Sequence, residues 1–126
     1  MCFFIHEDHK NPKIAKKPIN CYKTFQIVDE ENFMSIYQEH PYKIGLKYSL
    51  GHKLIPTYRS IDEGFHSYTA KSVAKVAKED LIYHGIIYDN LCMVKCVIPE
   101  GAEYYYNPED KEYVSDHIII AEKIEK

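Results

Sequence analysis

The sequence predicts an α+β domain that is rich in β-sheet, and three stretches support this prediction. Residues 20–28 alternate between the two faces of a strand, as a half-buried strand does. Residues 91–98 are apolar on both faces apart from Lys95, which is typical of a central, buried strand. Residues 69–79 carry apolar side chains at helical spacing and predict one helix.

The whole chain, residues 1–126, is predicted to be a single domain. Its 126 residues are enough to bury a core, and its composition of 45% hydrophobic and 28% charged residues is near the globular average. Residues 1–19 are predicted to form an exposed N-terminal arm, because residues 6–19 are rich in lysine, proline and other polar residues.

The stretch between the first strand and the helix predicts several short elements. Short strands are expected around residues 43–48 and residues 54–58, the second interrupted by Pro56. A polar turn over residues 59–63 then leads into the next strand.

The segment around His66 predicts a strand that runs directly into the helix. In this strand Phe65 and Ser67 should lie on one face and His66 and Tyr68 on the other. Thr69 is then expected to cap the helix. A junction of this kind places polar side chains and backbone amides where a ligand can meet them.

The last part of the chain predicts more sheet. Residues 80–90 are interpreted as a loop or insertion, and a type I turn with Pro99 at i+1 and Gly101 at i+3 should follow residues 91–98. The remaining elements are a strand over residues 103–106, a turn over residues 107–110 and one long final strand over residues 113–124.

Charge and hydropathy exclude several classes of function. A net charge of -3 and a pI near 6.1 disfavour binding to a nucleic-acid polymer, which requires a basic surface. No apolar run is long enough to span a membrane, and the N-terminus does not resemble a signal peptide. We therefore expect a soluble, cytoplasmic protein with reduced cysteines.

The sequence predicts no metal site and carries no common catalytic motif. His6, Glu7, Asp8 and His9 include metal-capable groups, but no third ligand is indicated beside the two histidines. Glycine-rich phosphate loops and nucleophile elbows are also missing from the sequence.

Three segments of the chain resemble a group of small proteins from bacteriophages and mobile elements of gut bacteria. These segments are residues 64–68 (GFHSY), residues 94–105, which contain IPEG, and residues 113–120, which begin with YVSD. The resemblance covers most of the chain and implies a cytoplasmic location in a bacterial host cell.

More distantly, the order of parts is similar to the ADP-ribosyltransferase fold, which implies a split β-sheet. Tyr22 and Lys23 would stand at the first motif of that fold, residues 66–68 at the second, and residues 115–116 near the third. Lys23 replaces the Arg or His of the first motif. The catalytic Glu is missing from the start of the last strand, unless Glu112 serves in a shifted register.

The leading hypothesis is a binder of a nucleotide-type small molecule, such as an NAD- or ADP-ribose-like compound or a cyclic nucleotide. By analogy with phage proteins, it would sequester a host immune signal. No tightly held cofactor is expected. The predicted ligand-binding residues are Lys23, Arg59 and Lys71 for phosphates, His66 and Ser67 for ribose or base, and Tyr68 and Tyr104 for stacking.

Two other functions remain open. The chain could be a mono-ADP-ribosyltransferase or an NAD hydrolase that uses His66, Tyr68 and either Asp116 or Glu112. It could instead be a non-enzymatic interaction protein that contacts a partner through its tyrosine-rich surface. The sequence leaves homo-oligomerisation open.

Overall fold

The computed structural model describes residues 3–34, 40–75 and 91–125, and this part of the chain is mostly β. Residues 71–75 are helical and begin helix α1. In chain order the strands are β1 (Phe3–Phe4), β2 (Lys13–Ile14), β3 (Ile19–Ile27), β4 (Asn32–Met34), β5 (Pro41–Lys43), β6 (Lys47–Ser49), β7 (Ser60–Ile61), β8 (Phe65–Tyr68), β9 (Leu91–Ile98), β10 (Glu103–Asn107), β11 (Glu112–Ser115) and β12 (His117–Glu125).

Strand β9 lies at the centre of the main sheet, as its apolar sequence predicts. It pairs antiparallel with β3 over eight residue pairs, from Ile19 opposite Ile98 to Gln26 opposite Leu91. On its other side it pairs with β12. The main path of the sheet runs β2, β10, β11, β8, β3, β9, β12, β6.

The edge of β3 that faces away from β9 is divided between two strands. Tyr22 pairs with Tyr68 of β8, whereas Gln26 and Ile27 pair with β4. Strand β4 pairs in turn with β5, and neither of these strands belongs to the main path. The two halves of the sheet therefore separate beside the middle of β3.

Two hydrophobic cores cover the faces of this sheet. The larger includes Phe25, which packs against Phe33 and Tyr42 with ring centroids 5.9 Å and 5.0 Å away. The smaller core contains Phe3, Leu54, Ile61, Tyr105 and Val114.

The predicted N-terminal arm is less exposed than its composition suggests. Phe3 is completely buried, and β1 pairs with β7 through Phe3 opposite Ile61. Ala15 is also buried, next to a β2 that pairs with β10. The prediction of an exposed arm is thus wrong for these residues, because apolar side chains near the N-terminus complete both cores.

The short elements before β8 differ in part from the prediction. Residues 43–48 contain the end of β5 and the start of β6, joined by a turn in which Gly45 has a φ of 88°. The strand predicted over residues 54–58 does not form. The chain instead reverses in a tight turn, in which Thr57 and Ser60 exchange backbone hydrogen bonds of 2.8 and 3.1 Å.

Helix α1 starts slightly later than its apolar spacing predicts. The amide of Ala74 donates to the carbonyl of Ala70 at 3.2 Å, so Ala70 rather than Thr69 occupies the N-cap position. The Thr69 amide donates to Lys111 O at 2.9 Å and is tied to the sheet. The rest of the predicted helix and the predicted loop over residues 80–90 lie outside the described residues.

The turn after β9 forms one residue later than predicted. Ala102 N donates to Pro99 O at 3.1 Å, and Gly101 at the i+2 position has a φ of 88°. A positive φ at i+2 is the signature of a type II turn, so the predicted type I turn is wrong. The Gly101 amide also donates to Ala15 O at 2.8 Å, which fastens the turn to the N-terminal segment.

The single long strand predicted at the C-terminus is interrupted at Asp116, which separates β11 from β12. Its amide donates to Glu103 O at 3.1 Å, and its carboxylate accepts the Glu103 amide at 2.9 Å. Strand β11 therefore pairs with β8 and β10, whereas β12 pairs with β9 and β6.

Within the described residues, no helix has the length and apolar character that crossing a membrane requires.

Candidate functional site

Four of the predicted site residues come together where β8, β11 and the middle of β3 meet: Lys23, His66, Tyr68 and Glu112. We call them the β8–β11 cluster. Glu112 lies directly opposite Tyr68, and Val114 lies opposite His66. Since side chains alternate along each strand, His66, Tyr68 and Glu112 share one face of the sheet.

The sequence of β8 explains why His66 faces into the cluster. Phe65 and Ser67 are buried, while His66 and Tyr68 are half-buried on the other face, as the alternation predicts. Phe65 packs in the larger core. Burying the apolar face of β8 on that side directs His66 and Tyr68 toward Glu112.

The His66 ring is held close to Glu112 without a hydrogen bond to it. The distance from His66 Nδ1 to Glu112 Oε2 is 3.9 Å, which is too long for a hydrogen bond. The two side chains are only 15% and 8% exposed. At such low exposure the pKa of each group depends strongly on burial and on nearby charges.

Burial lowers the pKa of His66 to about 4, and the nearby positive charge of Lys23 lowers it further in the same direction. The imidazole is therefore neutral at physiological pH, with one nitrogen able to donate a hydrogen bond and the other able to accept one.

Burial raises the pKa of Glu112 to about 7, and the negative charge of Asp110 adds to the effect while Lys23 opposes it. A large fraction of Glu112 is thus protonated near neutral pH. In that form it can donate a hydrogen bond as well as accept one.

Lys23 connects the two separated halves of the sheet at this cluster. Its Nζ donates to the backbone carbonyl of His66 at 2.7 Å. Burial lowers the pKa of Lys23, while the negative charge of Glu112 acts in the opposite direction. Alternation along β3 puts Lys23 on the face of Cys21 and Phe25, opposite to Tyr22, so its ammonium group is poorly placed to bind a phosphate beside His66.

Several buried polar atoms around the cluster have no hydrogen-bond partner among the residues that the structure describes. They are both ring nitrogens of His66, Ser67 Oγ and Gln26 Nε2. A buried polar group without a partner costs about 1–3 kcal/mol, so native proteins retain few of them without a reason. Those of His66 lie within the cluster, where the backbone and the negative charge of Asp62 act against the lowering of the His66 pKa.

Other predicted ligand-binding residues are placed elsewhere. Ser67 and Tyr104 are on the opposite face, where Tyr104 contacts the Tyr113 ring at 5.8 Å beside the larger core. Arg59 is exposed on the turn before β7. Lys71 is the first helical residue, three positions after Tyr68, and its side chain is exposed.

Asp116 has a structural environment that separates it from the cluster. Its Oδ1 accepts the Glu103 amide and lies 2.7 Å from His117 Nδ1. It stands beyond the far end of β11 from Glu112. Of the two carboxylates considered from the sequence, the structure therefore brings only Glu112 to His66.

Gln26 was not among the predicted site residues. It shares a face of β3 with Tyr22 and Thr24, and it pairs with Met34 where β4 begins to replace β8. The sequence indicates Gln26 only weakly, because it shows no more than a polar residue at a position that alternation assigns to a strand. Its burial, with 7% exposed, becomes evident only in the folded sheet.

The thiols near Lys23 are not reactive groups. Cys21 and Cys96 lie opposite each other on β3 and β9 and are fully buried. Burial raises the pKa of Cys21 to about 11 and also raises that of Cys96. Both remain protonated, and a thiol in that state is a poor nucleophile.

An open groove of about 670 Å³ lies elsewhere, against β4, β5 and β6. Its lining includes Phe33, His40, Tyr42 and Tyr48, and none of the predicted site residues. We give the cluster more weight than this groove, because the cluster combines burial, unpartnered polar atoms and perturbed pKa values.

In the described part of the chain, no group of three or more His, Cys, Asp or Glu side chains is placed to hold a metal ion.

Comparison of the chain with protein families, with curated proteins and with solved structures finds no match in any of the three.

Proposed function

We propose that the chain binds a nucleotide-type small molecule at the β8–β11 cluster. The observation that carries this proposal is the pair of buried, unpartnered nitrogens of His66 beside the carboxyl group of Glu112. A ligand that supplies hydrogen-bond partners there removes a desolvation cost that the free protein bears.

The chemistry of the cluster suits the uncharged parts of such a ligand. A neutral imidazole and a partly protonated carboxyl group offer donors and acceptors that match ribose hydroxyls or the edge of a base. Tyr68 and Tyr22, which lie opposite each other on β8 and β3, add aromatic surface for stacking. NAD- or ADP-ribose-like compounds and cyclic nucleotides carry all of these groups.

Phosphate binding requires a different residue from those first expected. Lys23 donates to a backbone carbonyl, and Arg59 is exposed on the turn before β7. In our proposal Lys71 contacts the phosphate, since it is the exposed cation that follows Tyr68 most closely in the chain. The ligand would then extend from a buried nucleoside end toward a solvated phosphate end.

The divided edge of β3 supports the comparison with an ADP-ribosyltransferase-like split sheet, in which a ligand binds where the sheet opens. In a bacterial host cell that carries a phage or mobile element, a small binder of this kind would sequester a nucleotide immune signal. This role follows the resemblance described above.

The test is calorimetric titration of the chain with NAD, ADP-ribose, AMP and cyclic dinucleotides, together with thermal unfolding. A ligand present at 100 times its Kd stabilises the fold by ~2.7 kcal/mol. We expect His66→Gln to weaken binding by about tenfold or more, since one hydrogen bond to a buried group contributes on the order of 1–3 kcal/mol. His52→Gln, an exposed histidine bonded to Glu63, is the matched control.

Binding that His66→Gln and His52→Gln weaken equally would contradict the site. If none of the four compounds binds, a nucleotide ligand is excluded within the range of compounds tested.

One observation favours an enzymatic alternative, a mono-ADP-ribosyltransferase or NAD hydrolase. Glu112 meets His66 and Tyr68 on one face, which supplies the carboxylate that such chemistry needs to stabilise an oxocarbenium-like centre. Incubation with labelled NAD distinguishes the two functions. Free nicotinamide or labelled protein that Glu112→Gln abolishes supports the enzyme, and binding without turnover supports the binder.

A further inference from the structure

The turn that carries Arg59 presents an aromatic ring and a guanidinium group to solvent in an unfavourable backbone conformation. Tyr58 and Arg59 are its two central residues, between Thr57 and Ser60. Tyr58 is 91% exposed, more than any other large apolar or aromatic side chain that the structure describes. The Arg59 guanidinium lies 5.5 Å from the centroid of the Tyr58 ring.

The backbone of Tyr58 has a φ of 59°. A positive φ at the first central residue alone is the pattern of a type II′ hairpin turn, where glycine is the usual residue. A bulky side chain in this conformation is an outlier, and packing does not explain it because the ring is exposed. Strain retained at an exposed residue points to a function of that residue.

The turn is also held firmly in place. Thr57 and Ser60 exchange two backbone hydrogen bonds, and Ile5 N donates to Arg59 O at 2.8 Å. Ser60 pairs with Phe4 of β1, whose side chain is 63% exposed beside the turn. Phe4, Tyr58 and Arg59 are therefore exposed on two segments that hydrogen bonds join, and we call these three residues the Tyr58 surface.

We propose that the Tyr58 surface docks a peptide segment of another protein that places a carboxylate beside an apolar side chain. Tyrosine and arginine are the residues most enriched at binding hot spots, and rigid aromatic side chains lose little entropy on binding. Arg59 makes no ion pair with any residue in the described ranges, so its planar donor array is available for a carboxylate.

The size of the surface favours a peptide over a second copy of the chain. Two exposed rings and neighbouring Ile55, which is 64% exposed, present roughly 400 Å² of apolar area. A stable dimer usually buries ~800 Å² on each partner.

This surface shares no residue with the β8–β11 cluster, so the proposal does not depend on nucleotide binding. The test is a two-dimensional NMR titration of the ¹⁵N-labelled full chain with a blocked peptide in which glutamates flank one phenylalanine and one leucine. The counterpart peptide carries lysine in place of each glutamate. We expect shifts at residues 4 and 57–60 with the acidic peptide only, and weaker binding at high salt.

Two variants and a control make the test specific. Tyr58→Gly should weaken peptide binding at least tenfold while leaving the melting temperature unchanged or higher, because glycine relieves the positive φ. Arg59→Gln should weaken binding and remove most of its salt dependence. Lys47→Gln changes an exposed cation on β6 and should have no effect.

Several outcomes would overturn the proposal. Equal binding of the lysine peptide, or shifts centred on the groove beside β4 and β5, would show that the Tyr58 surface does not select a carboxylate. Concentration-dependent shifts at residues 57–60 without peptide would identify a second copy as the occupant. A lower melting temperature of Tyr58→Gly with unchanged binding would assign Tyr58 a purely structural role.

Discussion

His66 Nδ1 lies 3.9 Å from Glu112 Oε2, and both side chains are largely withdrawn from solvent. Burial lowers the pKa of His66 to about 4 and raises that of Glu112 to about 7, so the usual order of the two pKa values is reversed in the folded protein. Near neutral pH the pair is therefore a neutral imidazole beside a carboxyl group that is only partly ionised. This inversion has measurable consequences for stability.

The two groups should oppose each other in the pH dependence of unfolding. Glu112 has a raised pKa in the folded state, so its stabilising contribution is complete below pH 4.5 and is lost as the pH rises to about 7. His66 has a lowered pKa, so its contribution is complete above pH 6.5 and is lost as the pH falls to about 4. Their effects should nearly cancel between pH 4.5 and 6.5.

Single substitutions should expose these opposing slopes. Glu112→Gln should make the free energy of unfolding rise with pH across this window, and His66→Gln should make it fall. Each slope approaches ~1.4 kcal/mol per pH unit when one proton separates the folded and unfolded states. Urea unfolding at pH 5.0, 5.5 and 6.0 measures this, and the other titrating groups cancel in the differences. Parallel curves for the two variants would contradict the inverted pair.

Lys23 should keep the pKa of His66 low. Replacing it by methionine removes a positive charge that disfavours imidazolium, so the pKa of His66 should rise from about 4 toward 6.5. Burial is the larger cause, so the return should be partial. The measurement is an NMR titration of the imidazole carbon resonance. Lys47→Met, which removes an exposed charge on β6, should leave the His66 titration unchanged.

The sequence predicts the best-defined strands well because their patterns are local. Strand β9 is apolar apart from Lys95 and is largely buried on both faces, and β8 alternates as expected. The pairing of Phe3 with Ile61 joins segments 58 positions apart, and neither segment has a pattern that identifies the other. For the same reason, composition alone predicts that Phe3 lies in an exposed arm.

The site was predictable only in part. His66 and Tyr68 follow from the alternation of β8, but Glu112 depends on the register in which β11 pairs with β8. The turn before β11 contains Asn107, whose Oδ1 accepts the amides of Glu109 and Asp110 at 2.9 and 3.2 Å. The sequence predicts this turn, yet an alternating pattern does not specify which residue of β11 lies opposite Tyr68.

Gly64 should tolerate no side chain unless Val114 becomes smaller. A Cβ at Gly64 would overlap Val114 Cγ2 and lie 3.1 Å from Leu54 Cδ2. Gly64→Ala should cost about 1–3 kcal/mol of stability, as other overpacked sites do.

Val114→Ala opens space beside Gly64, so the double variant should be more stable than the sum of the two single losses by about 1 kcal/mol or more. Urea unfolding of the four proteins measures this coupling. Gly45→Ala is the matched control: its added Cβ has nothing within 4 Å, so its cost comes from a φ of 88° and should add to that of Val114→Ala. Additive losses for Gly64→Ala and Val114→Ala would rule out the steric explanation.

Asp116 should prove structural, and Glu112 should prove to be the carboxylate of the site. Asp116→Ala removes the acceptor of the Glu103 amide and the partner of His117, so it should cost about 1–3 kcal/mol. Asp116→Asn keeps a side-chain oxygen for the Glu103 amide and should cost less.

At a temperature where both variants are folded, Asp116→Asn should bind the nucleotide-type ligand as tightly as the unmodified chain does. Glu112→Gln should bind the same ligand with a different affinity. Calorimetric titration of the two variants measures this contrast. Because Glu112→Gln mimics the protonated acid but cannot ionise, its binding should lose the pH dependence that the unmodified chain shows near pH 7. If Asp116→Asn abolishes binding and Glu112→Gln does not, the site lies at the other end of β11.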